Sequence, residues 1–245
     1  MKTPFKLYSL SEAFALFDPE QPLFTDTETM GLYGHVRLFQ AYQAHLDHVV
    51  LVDTPDPIML ASMLGKYHSV WHHAHYDITT VQQQTDTRWV PENFDDTFLL
   101  ARLHFADKEK FSLDQTFEYV LGFCPYTRQQ LDKKSLQKSD WSKLVLTNEQ
   151  YLYAATDVYY MPQLWEATKA KLSETSYKLD MFTLRYCLDF QWNGMPLNKQ
   201  KLYDRYQENE QSVTDLALPI NVNSYKQVRE WLGGIQESDA LALTR

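Results

Sequence analysis

A chain of 245 residues with 44% hydrophobic and 14% aromatic side chains is long enough for one substantial core or a core plus an appendage, and too apolar for a disordered segment. Its formal charge of −9 argues against bulk, salt-driven binding along duplex DNA. It leaves room for a site where carboxylates hold divalent cations, which then supply the positive charge a phosphate needs. Residues 1–10 contain no secretory apolar region, no run reaches membrane-spanning length, and Cys124 and Cys187 suggest neither a disulfide framework nor a zinc ribbon. A reducing cytoplasm is the expected setting, with no membrane partner.

In chain order, residues 22–26 read as a buried strand entering a polar turn, 35–43 as its antiparallel neighbour, and 48–53 as a third strand closed by Thr54-Pro55-Asp56-Pro57. A helix is expected over 58–66, a strand over 69–73, a helix over 76–84, a brief strand over 94–96 and an apolar helix over 97–103. Ser112 suits the N-cap of a helix over 113–121 that stops at Gly122. The polar stretch 128–144 reads as partly looped. Thr147, with Glu149 and Gln150 in the first turn, caps the clearest helix, 148–172. Beyond it, helices are expected over 179–191, 199–213 and 224–232, the last ending at Gly233-Gly234. A meander of strands followed by alternating strands and helices implies an α/β fold with a mixed sheet flanked by helices. The change of character near 173 divides the chain into 1–172 and a helical extension, 173–245.

The chemistry-bearing residues are individually weak signals. Asp26 and Glu28 are two apart at a strand end, so both carboxylates point to one face and suit Mg²⁺ or Mn²⁺. Alone, such a pair is more often an ordinary acidic turn. Asp77 follows a strand near a helix start, where an acid also favours the helix dipole. Tyr153 and Asp157 are four apart and share a helix face, with Ala154 and Ala155 between them to let the helix approach a sheet closely. A buried mid-helix aspartate is costly without a partner, and a metal ion removes that cost.

Their order carries the information. Asp-x-Glu on an early strand, Asp after a later strand and Tyr-x-x-x-Asp on a helix resemble the three blocks of the DEDD exonuclease superfamily, tyrosine branch. The segments Leu23-Phe24-Thr25-Asp26-Thr27-Glu28-Thr29-Met30-Gly31-Leu32, Asp96-Thr97-Phe98-Leu99 and Phe111-Ser112-Leu113-Asp114 extend the likeness to the proofreading 3′–5′ exonuclease domain of family A DNA polymerases. Ribonuclease D is a more distant relative. Asn193-Gly194-Met195-Pro196-Leu197 and Asn221-Val222-Asn223-Ser224 resemble the passage out of that domain and the base of the polymerase thumb.

The resemblance implies a ribonuclease H-like fold and a two-metal site. Asp26 would bridge two Mg²⁺ or Mn²⁺ ions, Glu28 and Asp157 would help bind the hydroxide-generating one, Asp77 would support the other, and Tyr153 would orient the attacking water. It also implies that Leu32 wedges against terminal bases and that Thr29 contacts the 3′-terminal nucleotide of single-stranded DNA. His73 stands where the family usually has Asn, four residues before Asp77. The chain reaches Arg245 without palm or fingers, so a fragment, a stand-alone exonuclease and a polymerase divided over two chains are the expected alternatives, with a separate polymerase chain as candidate partner. Arg128, Lys133, Lys134, Lys138 and Lys143 form a basic stretch that either guides the strand or is a solvated loop. His68, His72, His73 and His75 raise zinc as an alternative, weakened because strand alternation would separate His72 from His73 and His75.

Overall fold

The computed structural model describes residues 2–32, 34–169 and 173–233. Its elements begin with β1 (Phe5–Leu7), α1 (Leu10–Leu16), β2 (Leu23–Thr29), β3 (Val36–Tyr42), β4 (Val49–Asp53), α2 (Pro57–Leu64), β5 (Ser69–Trp71), α3 (Ala74–Thr85) and β6 (Phe94–Asp96). They continue with α4 (Thr97–His104), α5 (Leu113–Leu121), α6 (Pro125–Arg128), α7 (Lys133–Gln137), α8 (Asn148–Tyr159), α9 (Met161–Lys169), α10 (Glu174–Asn193), α11 (Lys199–Asp215) and α12 (Tyr225–Gly233). The six strands form one sheet in the order β1-β4-β3-β2-β5-β6. β2, β3 and β4 make the expected antiparallel meander, while β5 and β6 run parallel to β2 and β1 runs parallel to β4.

Alternation along β2 sorts its side chains between two cores. Leu23 joins Phe14, Phe39, Leu60, Trp71 and Ile78 on one face, and Phe24 joins Leu38, Leu51, Phe117, Ala155 and Trp165 on the other. Asp26 and Glu28 continue the second face, beyond the point where apolar packing ends. β2 therefore anchors the site through its own core contacts, and the register fixes which side chains meet there. Asp26 stands opposite Gln40, and the pairing shifts by one residue between Glu28 and Thr29. Such a shift bends the strand locally and increases its twist.

β1 and α1 extend the expected fold. The capping box of α1 joins Ser9 and Glu12 in reciprocal hydrogen bonds. The helix expected over 148–172 is instead two helices that meet at Tyr160 and Met161. Pro162 explains the break, because it lacks an N–H and its ring clashes with the carbonyl four residues back. Residues 170–172 of that expectation, and Gly234, lie outside the described residues.

By compactness the chain divides into Met1–Gly194 and Met195–Arg245. The change of character expected after residue 172 falls within the first unit, where α10 packs on α3 and α4. The second unit contains α11, capped by Asn198 and without a buried residue, and α12.

Candidate active site

The carboxylates meet where β2, α3 and α8 converge. Asp26, Glu28 and Asp157 each offer an oxygen, and these oxygens lie within 4.8 Å of one another. Asp77 and Tyr153 line the same cleft, about 710 Å³ in volume. The structure thus brings together the sequence-predicted acids and the tyrosine from elements far apart in sequence.

Each aspartate is held by a neighbour. The side-chain amide of Gln40 donates to Asp26 Oδ2 at 2.6 Å. Asp77 Oδ1 accepts from the Thr27 backbone N–H at 3.0 Å and from the Thr27 hydroxyl at 2.6 Å, which ties α3 to β2. The Tyr126 hydroxyl donates to Asp157 Oδ1, and Tyr153, one turn earlier on α8, also hydrogen-bonds that carboxylate. Gln40 and Tyr126 were not picked out from sequence. The pairing of Gln40 with Asp26 follows once the strand register is known, whereas Tyr126 lies on a four-residue helix with no periodic signal.

Burial and mutual repulsion shift the acids upward. Burial, opposed by the Gln40 bond, raises Asp26 to about 7. Burial and then repulsion from Asp26 push Asp77 and Asp157 well above the usual carboxylate range. Glu28 is raised by burial and by repulsion from Asp26, Asp157 and Asp77. Burial and the Asp157 charge keep the Tyr153 hydroxyl protonated well above its ordinary range. A divalent cation relieves this repulsion, and a donor set made entirely of hard oxygens fits Mg²⁺ or Mn²⁺.

The other sequence-predicted residues also reach the cleft. Leu32 is 77% exposed at its wall. The Thr29 hydroxyl donates to the Gly31 carbonyl at 2.8 Å, so at its 2.8 Å contact with the Tyr76 hydroxyl it is the acceptor. His73 occupies left-handed backbone space at φ 70°, ψ 50°, and its N–H donates to Asp96 Oδ1 at 2.9 Å. Asn and His are among the non-glycine residues most often found in that conformation, which gives a backbone reason for either residue at this position.

Of the basic stretch, Lys133 and Lys138 line the cleft. Lys133 is paired with Asp114, and its charge partly offsets the upward shifts of Asp26 and Asp157. Arg128 lies over the Phe123 ring at 4.5 Å, away from the acids' cleft. The histidines are engaged elsewhere: His68 with Asp95, and His72 with Thr97 and the Phe111 carbonyl. Burial drives His72 down to about 3.

Residues 3–173 match the family model described as a 3′–5′ exonuclease. The chain belongs to that family. It is 27% identical over 166 residues to DNA polymerase I of Aquifex aeolicus, an alignment spanning 67% of this chain but only 26% of the polymerase. The fold is similar to that of Brucella melitensis NrnC bound to pGG, with a TM-score of 0.57 and 17% identity over 92% of this chain and 99% of that one. Trypanosoma brucei RNase D in complex with RNA U12 gives a TM-score of 0.59 at 16% identity, over 76% of this chain and 70% of that one. The expected tyrosine-branch exonuclease and its ribonuclease H-like α/β fold are therefore borne out, and among the described residues no helix is long and apolar enough to cross a membrane.

Proposed function

We propose that the chain hydrolyses the 3′-terminal phosphodiester of single-stranded DNA and releases nucleoside 5′-monophosphates. The observation that carries this reading is the convergence of Asp26, Glu28 and Asp157 within 4.8 Å, in a cleft that also holds Tyr153. Two Mg²⁺ or Mn²⁺ ions would be held by Asp26, Glu28, Asp77 and Asp157; when bound, they activate water and neutralise charge on the phosphate. Gln40, Thr27 and Tyr126 set the carboxylates in place before the ions arrive, so little reorganisation is needed on binding. Burial and the Asp157 charge raise the Tyr153 hydroxyl above its ordinary range, which suits it to orient the attacking water rather than deprotonate it. Leu32 and Thr29 face the terminal nucleotide, and Lys133 and Lys138 supply positive charge beside the acids.

DNA is favoured by the family match and by the sequence relative, which is a DNA polymerase. A separate chain carrying palm and fingers is the corresponding partner, and proofreading or end trimming the corresponding role. A second reading, hydrolysis of RNA or of very short oligonucleotides, is favoured by the likeness to RNase D in complex with RNA U12 and to NrnC bound to pGG, the latter over 99% of that protein. Cleavage of 5′-labelled DNA and RNA of matched sequence, with and without chelator, tests both. Stepwise shortening of DNA faster than RNA, abolished by chelator, supports the first reading. Faster RNA cleavage supports the second, and chelator-resistant or absent cleavage by folded protein removes both.

A further inference from the structure

A second cleft of about 500 Å³ lies between α3, α4 and α10 and meets the catalytic one at His73 and Phe98, which line both. Its wall carries Arg102, an exposed residue in the last turn of α4. Among the described residues Arg102 forms no ion pair or hydrogen bond; its guanidinium lies 5.7 Å from the Phe98 ring centroid. The carboxylates nearby do not neutralise it. Asp96 is taken up by the backbone N–H groups of His73, Ala74 and Phe98 at 2.9, 3.0 and 2.8 Å, and Asp180 on the same wall makes no ion pair with it. An unpaired guanidinium beside an aromatic face, in a chain of net charge −9, is the combination that binds a single-stranded backbone: charge for a phosphate and a ring for a base.

We infer that this second cleft is a subsite for the strand on the 5′ side of the scissile bond, with Arg102 holding a backbone phosphate and Phe98 offering its ring to a base. The inference rests on the proposed nuclease reading. Hydrolysis of the terminal linkage places the scissile phosphate at the carboxylates, and the rest of the strand must leave that cleft past its wall. His73 and Phe98 form the part of the wall behind which further room lies. A dinucleotide with a free 5′ hydroxyl has a single phosphate, which the carboxylate site takes, and so has none for Arg102.

The test uses the Asp26→Asn protein with Mg²⁺, so that binding is read without cleavage. Fluorescence anisotropy compares a pentanucleotide with an unphosphorylated dinucleotide, with and without Arg102→Gln. Removing one charged phosphate contact is expected to weaken the pentanucleotide about tenfold and to lower its salt dependence by about 0.7, while the dinucleotide changes less than twofold. Cys187, exposed on the same cleft, gives a readout independent of affinity. Alkylation mapped by peptide mass spectrometry should slow under saturating pentanucleotide but not under dinucleotide. Equal weakening of both ligands, no weakening of either, or unprotected Cys187 would overturn the subsite. If the Arg102-containing parent binds neither oligonucleotide, the nuclease reading falls with it; if it binds both and Arg102 is immaterial, only the subsite falls.

Discussion

Two parts of the cleft's wall, the carboxylate cluster and the exposed lining at Leu32 and His73, are built on opposite principles. Where β2, α3 and α8 converge, the aspartates are anchored by Gln40, Thr27 and Tyr126, and like charges crowd together. Elsewhere along the same cleft, Leu32 and His73 are exposed, and His73 is held in place by its backbone rather than by side-chain bonds. The difference separates the tasks. Metal chemistry favours carboxylates whose positions are settled before the ion binds, whereas a wall that, on the proposed reading, receives successive nucleotides keeps its side chains uncommitted.

Among substitutions that leave the four acids intact, the largest expected effect comes from breaking the anchored wall at the water. Tyr153→Phe should lower kcat by about 10²-fold with little change in metal affinity, because an oriented water is lost while the carboxylates stay in place. Comparable loss of metal affinity would mean that Tyr153 acts through Asp157 instead. Tyr126→Phe should show the reverse pattern, a weakening of metal binding by about tenfold, since it removes one of the two hydroxyls that hold Asp157 without touching the water. Calorimetric titration with Mn²⁺ alongside single-turnover rates separates the two cases.

The crowding itself is testable through pH. A carboxyl whose folded-state pKa is raised binds its proton more tightly folded than unfolded, so its contribution to stability is full at low pH and is lost as pH rises through the folded value. For Asp26 that window runs from its ordinary 3.8 to about 7. Chelated wild-type protein should therefore lose stability relative to Asp26→Asn between pH 4 and 7, and Mg²⁺ should restore it. Melting curves that keep a constant gap across this window would show that the acids are not crowded.

The exposed wall should respond more mildly. His73→Asn preserves the left-handed backbone and should change KM for single-stranded DNA within about threefold, while His73→Ala should cost about 1 kcal/mol of stability. Equal stability of the two variants in urea denaturation would show that backbone conformation does not select the residue at 73.

The same contrast explains what could be read from the sequence. Asp26, Glu28, Asp77, Tyr153 and Asp157 were legible because strand alternation and helical spacing fix which side chains share a face, and their order carried a family likeness. The strands 22–26, 35–43 and 48–53 announced themselves by apolar runs between breakers. β1 was not legible, since it is a three-residue edge strand without a fully buried side chain, and α1 left only its Ser9–Glu12 capping pair as a signal. The break at Tyr160 was written in Met161-Pro162 but hidden by the strong helical pattern before it. Gln40, Tyr126 and Lys133 take their roles from tertiary register, which no local pattern contains. Arg102 stands out as a candidate only because it has no ion pair or hydrogen bond among the described residues.

Manganese binding tests the central claim most directly, that Asp26, Glu28 and Asp157 form a prearranged metal centre. Titration of Mn²⁺ followed by electron paramagnetic resonance should show binding to the wild-type chain, with on the order of 10³-fold loss of nuclease activity in Asp26→Ala accompanied by loss of bound Mn²⁺ and an intact fold. Unchanged Mn²⁺ binding and unchanged cleavage in folded Asp26→Ala protein would contradict it.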